Sequence, residues 1–132
     1  MSQLSADAKR RFEEKLVRAL DEAWAKMNTA LQIGPGDSRE AEMSIWLAAE
    51  AAEYASFLFN ATYDLDELDP KVKIKRGSDP LVLMKDSYES LRIARELREK
   101  SPTEAYTELR YAADRLKAAY LRKSDARSKR TR

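Results

Sequence analysis

The longest apolar stretch of the chain runs from Met43 to Tyr63, and Glu50 and Glu53 are the only charged residues inside it. Its alanine content and its length favour a helix over a strand. A charged side chain at the centre of a bilayer costs roughly 2.5–3.5 kcal/mol on insertion scales. Because two carboxylates lie mid-segment, we exclude a membrane span and predict a central helix over about residues 38–63.

The segment before the central helix has an amphipathic pattern. Apolar residues recur at three- and four-residue steps from Leu4 to Leu31, which predicts a helix from near Ser2 or Ser5 to about Gln32. The run Gly34-Pro35-Gly36 ends it, since proline cannot continue a helix. Asp37 and Glu40 then have the spacing of a capping box, which predicts the start of the central helix. Because the apolar spacing is close to a heptad, a self-associating coiled coil is an alternative for this first helix.

Two further helices are predicted after a charged connection. An acidic run ends at Asp69 and a basic run follows from Lys71 to Arg76, so we predict a loop over 69–78 in which the two runs partly pair. Asp79-Pro80 and Ser101-Pro102 both have the residue types that start helices. The joint between these two helices is short and predicts an antiparallel αα-hairpin. The predicted fold is an all-α, up-down four-helix bundle whose chain ends in this hairpin and a short basic tail.

Composition narrows the chemistry open to this chain. Histidine and cysteine are absent, which removes the commonest general base and all thiolate chemistry. Charged residues make up 36% of the 132 residues, and with few amides this usage is typical of thermophilic proteins. The length predicts one domain. The charged N-terminal segment has no apolar core of a secretory signal, so we expect a cytoplasmic protein.

The end of the chain is strongly basic. Residues 122–132 contain six basic residues and one acidic residue, whereas the other 121 contain 19 basic and 22 acidic. We therefore predict a helical domain over 1–121 and a flexible tail over 122–132. With tyrosines interleaved along the last helix, the pattern predicts contact with nucleic acid, RNA more than DNA, or with another polyanion. The predicted contact residues are Arg110, Arg115, Lys117, Arg122, Lys123, Arg127, Lys129, Arg130 and Arg132. The alternative is a solvated terminus that only aids solubility.

Acidic residues suggest a different activity. Glu50 and Glu53 lie one helical turn apart, and Asp64 lies on the same side three turns later. Clusters of carboxylates suit Mg²⁺ or Mn²⁺, so an all-α nucleotide phosphohydrolase is an alternative hypothesis. The other interpretation is a surface stripe that pairs with Arg and Lys of neighbouring helices.

Large apolar residues near the polar side of the central helix form the third signal. Met43, Trp46 and Phe57 lie there, and an exposed aromatic patch usually marks an interface. We expect a homodimer or a protein partner at the Trp46/Phe57 region. Together these signals favour a small non-catalytic binding or adaptor protein over an enzyme.

Overall fold

The computed structural model describes residues 5–130, with the side chains of 127–130 excepted. Over these residues the chain forms four helices and no strand: α1 (Ala6–Ile33), α2 (Arg39–Tyr63), α3 (Pro80–Leu97) and α4 (Pro102–Arg130). The predicted all-α four-helix bundle is confirmed. The central helix begins and ends within one residue of its predicted bounds.

Polar residues before α1, α2 and α3 satisfy the first free backbone N–H groups. The hydroxyl of Ser5 accepts from the N–H of Ala8 at 3.1 Å, and that of Ser38 accepts from Ala41 at 3.1 Å. The cap of α2 is therefore Ser38, and the capping box predicted at Asp37 is wrong. Asp37 instead forms an ion pair with Lys123 of α4 at 3.2 Å.

The helices pack in a ring. α1 lies against α2, α2 against α4, α4 against α3, and α3 against α1 over a smaller area. Contacts across two of these interfaces, α1–α3 and α2–α4, show that the paired helices are antiparallel. As one helix is followed forward, its contacts move backward along the other. The contacts that establish this pair Asp21 with Arg95, Trp24 with Tyr88, Trp46 with Tyr120 and Glu53 with Lys117.

The connection between α2 and α3 runs along the bundle. Both helices end at the same end of the molecule, because Arg98 and Glu99, which follow α3, act electrostatically on Tyr63, the last residue of α2. Burial is the main cause that raises the pKa of the Tyr63 phenol. α2 and α3 therefore run in the same direction, so the bundle is confirmed but the predicted up-down order of its helices is not. Residues 64–79 return to the other end alongside α4, where Arg122 donates to the carbonyl oxygen of Lys75 at 3.0 Å.

The core is built mainly from small residues and a few large ones. Alanines at buried positions of α1, α2 and α4 let the helices approach closely, and the larger side chains fill the remaining space as close packing requires. Fully buried large residues are Leu16, Met27, Ile45, Phe59, Met84, Leu91, Leu109 and Leu116. α4 is the most enclosed helix, since α2, α3 and the 64–79 connection cover different sides of it.

α4 crosses the predicted boundary at residues 121 and 122 as one continuous helix to Arg130. Arg122 and Lys123, the first two residues of the predicted tail, contact the rest of the bundle. The division of the chain into a domain over 1–121 and a flexible tail stays a prediction. Thr131 and Arg132 lie outside the described residues.

Candidate interaction surface on helix α2

One face of α2 carries a line of exposed residues that no other helix covers. Met43, Leu47, Tyr54 and Phe57 are 49%, 39%, 55% and 65% exposed, and Glu50 and Ala61 complete the line. Successive members are separated by four, three, four, three and four residues, the spacing that keeps side chains on one side of a helix. We call these six residues the α2 strip.

The strip faces outward because α1 and α4 bury the other sides of α2. These two contacts cover a wide arc that includes the hydroxyl residues Ser44, Ser56 and Thr62. Each hydroxyl donates to a carbonyl oxygen of its own helix at 2.7 Å, so its burial leaves no unmet hydrogen bond. Small polar residues thus occupy part of the inner face, while aromatic rings occupy the outer one.

Residues beside the strip extend its apolar surface. The ring of Trp46, 36% exposed, lies 5.0 Å from that of Tyr120 of α4 and forms one border. On the other border a crevice of about 250 Å³ separates α1 from α2, and Ile33 of α1 lines it together with Met43 and Leu47. Ile33 and Trp46 therefore add exposed apolar area on either side of the strip, although Lys26 and Glu40 also line the crevice.

The exposed aromatic area of this region is comparable to the largest apolar patch of a typical monomer. At about 200 Å² for a whole aromatic side chain, the exposed fractions of Trp46, Tyr54 and Phe57 leave on the order of 300 Å² in water. Single exposed apolar residues are ordinary, whereas the largest apolar patch of a monomer, roughly 300–600 Å², is often functional. The α2 strip has the properties of such a surface.

The predicted polyanion contacts of α4 lie mostly against the bundle. Arg115 donates to the hydroxyl of Ser90 at 2.7 Å, and Lys117 forms an ion pair with Glu53 at 2.8 Å. Arg122 and Lys123 make the contacts described above. Four of the predicted residues thus already have partners within the chain, and their charges are directed to different neighbours rather than to one groove.

Arg110 differs from these four. It has no ion pair or hydrogen bond to another element among the described residues, and it lines the shallow groove between α4 and the 64–79 connection. Its Nε atom, like Nη1 of Arg122, is buried with no hydrogen-bond partner. The side chains of Arg127, Lys129, Arg130 and Arg132 lie outside the described residues. Nucleic-acid binding by these residues stays a prediction.

The three carboxylates of the metal hypothesis are not brought together. Glu50 lies on the exposed strip, Glu53 pairs with Lys117, and Asp64 ends α2 with a left-handed φ of 54°. Fourteen residues of helix separate Glu50 from Asp64 by about 21 Å. Among the residues whose side chains are described, no group of three or more acidic residues could hold a metal ion. Binding of Mg²⁺ or Mn²⁺ by these three residues stays a prediction.

Comparison of the chain with protein-family models, with curated proteins and with solved structures finds no match. Within residues 5–130, none of the four helices has a segment sufficiently long and apolar to cross a bilayer.

Sequence reasoning identified part of the strip. It singled out Met43 and Phe57 of the strip, and Trp46 at its border, but gave Leu47 and Tyr54 no place in this surface. The signal that would have found them is the second apolar line of α2, whose members recur at four- and three-residue steps like those of the buried face. A helix with two such lines needs packing partners on both.

Proposed function

We propose that this chain is a non-catalytic interaction module that binds another protein through the α2 strip. The observation that carries the proposal is the line of exposed apolar side chains, interrupted only by Glu50, on a helix whose other sides pack against α1 and α4. Burying these side chains stabilises a complex by roughly 25 cal/mol for each Å² removed from water. The absence of histidine and cysteine from the sequence agrees with a binding role.

Aromatic residues make the strip suitable for protein recognition. Tryptophan and tyrosine are enriched among the residues that dominate binding energies, because a large rigid side chain loses little entropy when it is ordered. Tyr54 and Phe57 lie near the middle of the surface, one turn apart, with Leu47 and Met43 farther along the same face. We expect Phe57 and Tyr54 to contribute most to binding.

Photo-crosslinking in cells that produce the protein tests this proposal. A photoreactive phenylalanine analogue is placed at Phe57 in one variant and at Val82 in the other. Val82 is the matched control, since it is also an exposed apolar residue but lies on α3. We expect a protein adduct from position 57 and none from position 82. No protein adduct from position 57, or equal adducts from both, would refute the proposal.

A further inference from the structure

We propose that the partner of the α2 strip is a second copy of this chain, bound antiparallel. The two-fold axis crosses the interface at the level of residue 52, midway along the strip. This inference rests on the proposed function and names its partner. A two-fold interface uses the same surface on both copies, so the surface must be complementary to itself. The spacing, side-chain sizes and charge of the strip meet that condition.

The spacing of the strip reads the same in both directions. Its steps of four, three, four, three and four residues are unchanged when the helix is reversed. Two antiparallel copies therefore bring each member of one strip opposite a member of the other: position 43 faces 61, position 47 faces 57, and position 50 faces 54. Steps that alternate between three and four are those of a coiled-coil seam.

Side-chain sizes fit this register. The long Met43 faces the small Ala61 of the second copy, and Leu47 faces the ring of Phe57. A large residue opposite a small one and an aliphatic residue opposite an aromatic one let the two surfaces interdigitate at an ordinary interhelical distance. The same two contacts recur on the other side of the axis.

The single charge in the strip favours the antiparallel orientation. In the antiparallel register Glu50 faces Tyr54 of the second copy, whose phenolic O–H can donate to the carboxylate, a hydrogen bond strengthened by the charge. In a parallel dimer the Glu50 carboxylates of the two copies would face each other and repel. Only the antiparallel arrangement gives this carboxylate a donor on the other copy.

Charges beside the strip are compatible with the same arrangement. The two-fold axis carries α1 of one copy opposite α1 of the other, and the border of α1 has both signs, with Lys15, Arg18 and Glu22 lining the groove next to Tyr54. On the α4 side, Glu53 and Lys117 neutralise each other within one copy. Neither border therefore places a run of like charges opposite the same border of the second copy.

The size of the surface predicts a weak dimer. Stable complexes bury about 800 Å² per partner, and weaker reversible ones bury less. The α2 strip has six residues, far fewer than the roughly 20–30 on each side of a standard interface. We expect a reversible dimer with a dissociation constant in the micromolar range.

Disulfide formation between single-cysteine variants tests the register, since the chain has no cysteine of its own. Met43→Cys and Ala61→Cys proteins are mixed at a concentration above the dissociation constant and oxidised mildly. We expect a disulfide between the two variants. Neither variant alone should form one, because identical positions lie 18 residues apart along antiparallel helices, about 27 Å. Met43→Cys mixed with Val82→Cys is the control and should stay unlinked.

The outcomes separate this inference from the proposed function. A disulfide between two copies of the same variant, for Met43→Cys and for Ala61→Cys alike, would indicate a parallel dimer and overturn the antiparallel register. If no disulfide forms in any mixture, the self-association is refuted, provided that the variants melt like the parent chain. In that case an adduct of position 57 with a different protein would leave the proposed function standing, whereas the lack of any adduct would remove both.

Discussion

At the scale of single residues, Phe57 and Phe59 show how position decides the role of a side chain. They are identical in chemistry and two residues apart, yet Phe59 is fully buried and Phe57 is 65% exposed. Two residues turn the helix by about 200°, which moves a side chain from the core to the opposite surface. Phe59 is therefore assigned to stability and Phe57 to binding.

This pair gives a matched test. Phe59→Ala should lower the free energy of unfolding by about 3–5 kcal/mol, because it removes a large buried side chain and leaves a cavity. Phe57→Ala should change it by less than about 0.5 kcal/mol, as expected for a surface position. Urea unfolding, followed by circular dichroism at a protein concentration below the dissociation constant of the proposed dimer, measures both changes. Equal losses for the two variants would contradict the assignment.

The basic residues of α4 show what a sequence pattern leaves open. The count of Arg and Lys near the end of the chain is visible in the sequence, but the direction of each side chain depends on which element lies beside it. Lys117 reaches α2, Arg115 reaches α3, and Arg122 reaches the 64–79 connection. These partners are distant in sequence, so charge spacing along α4 alone could not have identified them.

At the scale of elements, α2 could be located from the sequence but its faces could not be fully assigned. Its bounds follow from capping residues and from the apolar run between them, which are local features. Glu42 and Ser56 are polar, so their residue types predict an exposed side of α2, yet both are buried, because α4 packs on that side. Polarity alone misassigns such residues when a hydroxyl can bond to its own helix, as Ser56 does.

The end of α2 offers a second prediction. Asp64 is the only residue other than glycine with a positive φ in the described part of the chain, a conformation that favours glycine. Its carboxylate also lies at a helix C-terminus, where the dipole disfavours a negative charge. Asp64→Gly should raise the free energy of unfolding by roughly 0.5–1 kcal/mol, measured by urea unfolding.

Asp66 is the control for that change. It lies in the turn that follows α2, is exposed, and has no positive φ. Asp66→Gly should therefore give no gain, since it only adds conformational freedom to the unfolded chain. If both substitutions stabilise the protein equally, the left-handed conformation at Asp64 is not the cause.

At the scale of the whole molecule, the four-helix bundle follows from the amphipathic patterns, but the order of packing does not. Short connections predict that α1 and α2, and likewise α3 and α4, lie antiparallel. The length of the 64–79 connection alone does not tell which helices it brings together. In the structure it runs along α4, and Ile74 packs against the core, which closes that side of the bundle and leaves the outer face of α2 as the open one.

An open apolar face on an otherwise closed bundle is the basis for the binding role. The other exposed large apolar residues, such as Val82 and Leu121, lie apart from it on α3 and α4. A partner that covers the α2 strip removes the exposed parts of Met43, Leu47, Tyr54 and Phe57 from water. Because the strip is complementary to itself in the antiparallel register, the proposed partner is a second copy of this chain.

Sedimentation equilibrium of the purified chain tests this claim most directly. We expect the average mass of the parent chain to rise from monomer towards dimer as its concentration passes through the micromolar range. Phe57→Glu should stay monomeric over the same range, because a charge replaces the ring at the centre of each contact, whereas Val82→Glu should behave like the parent chain. A parent chain that stays monomeric throughout, or a Phe57→Glu variant that dimerises as the parent does, would contradict it.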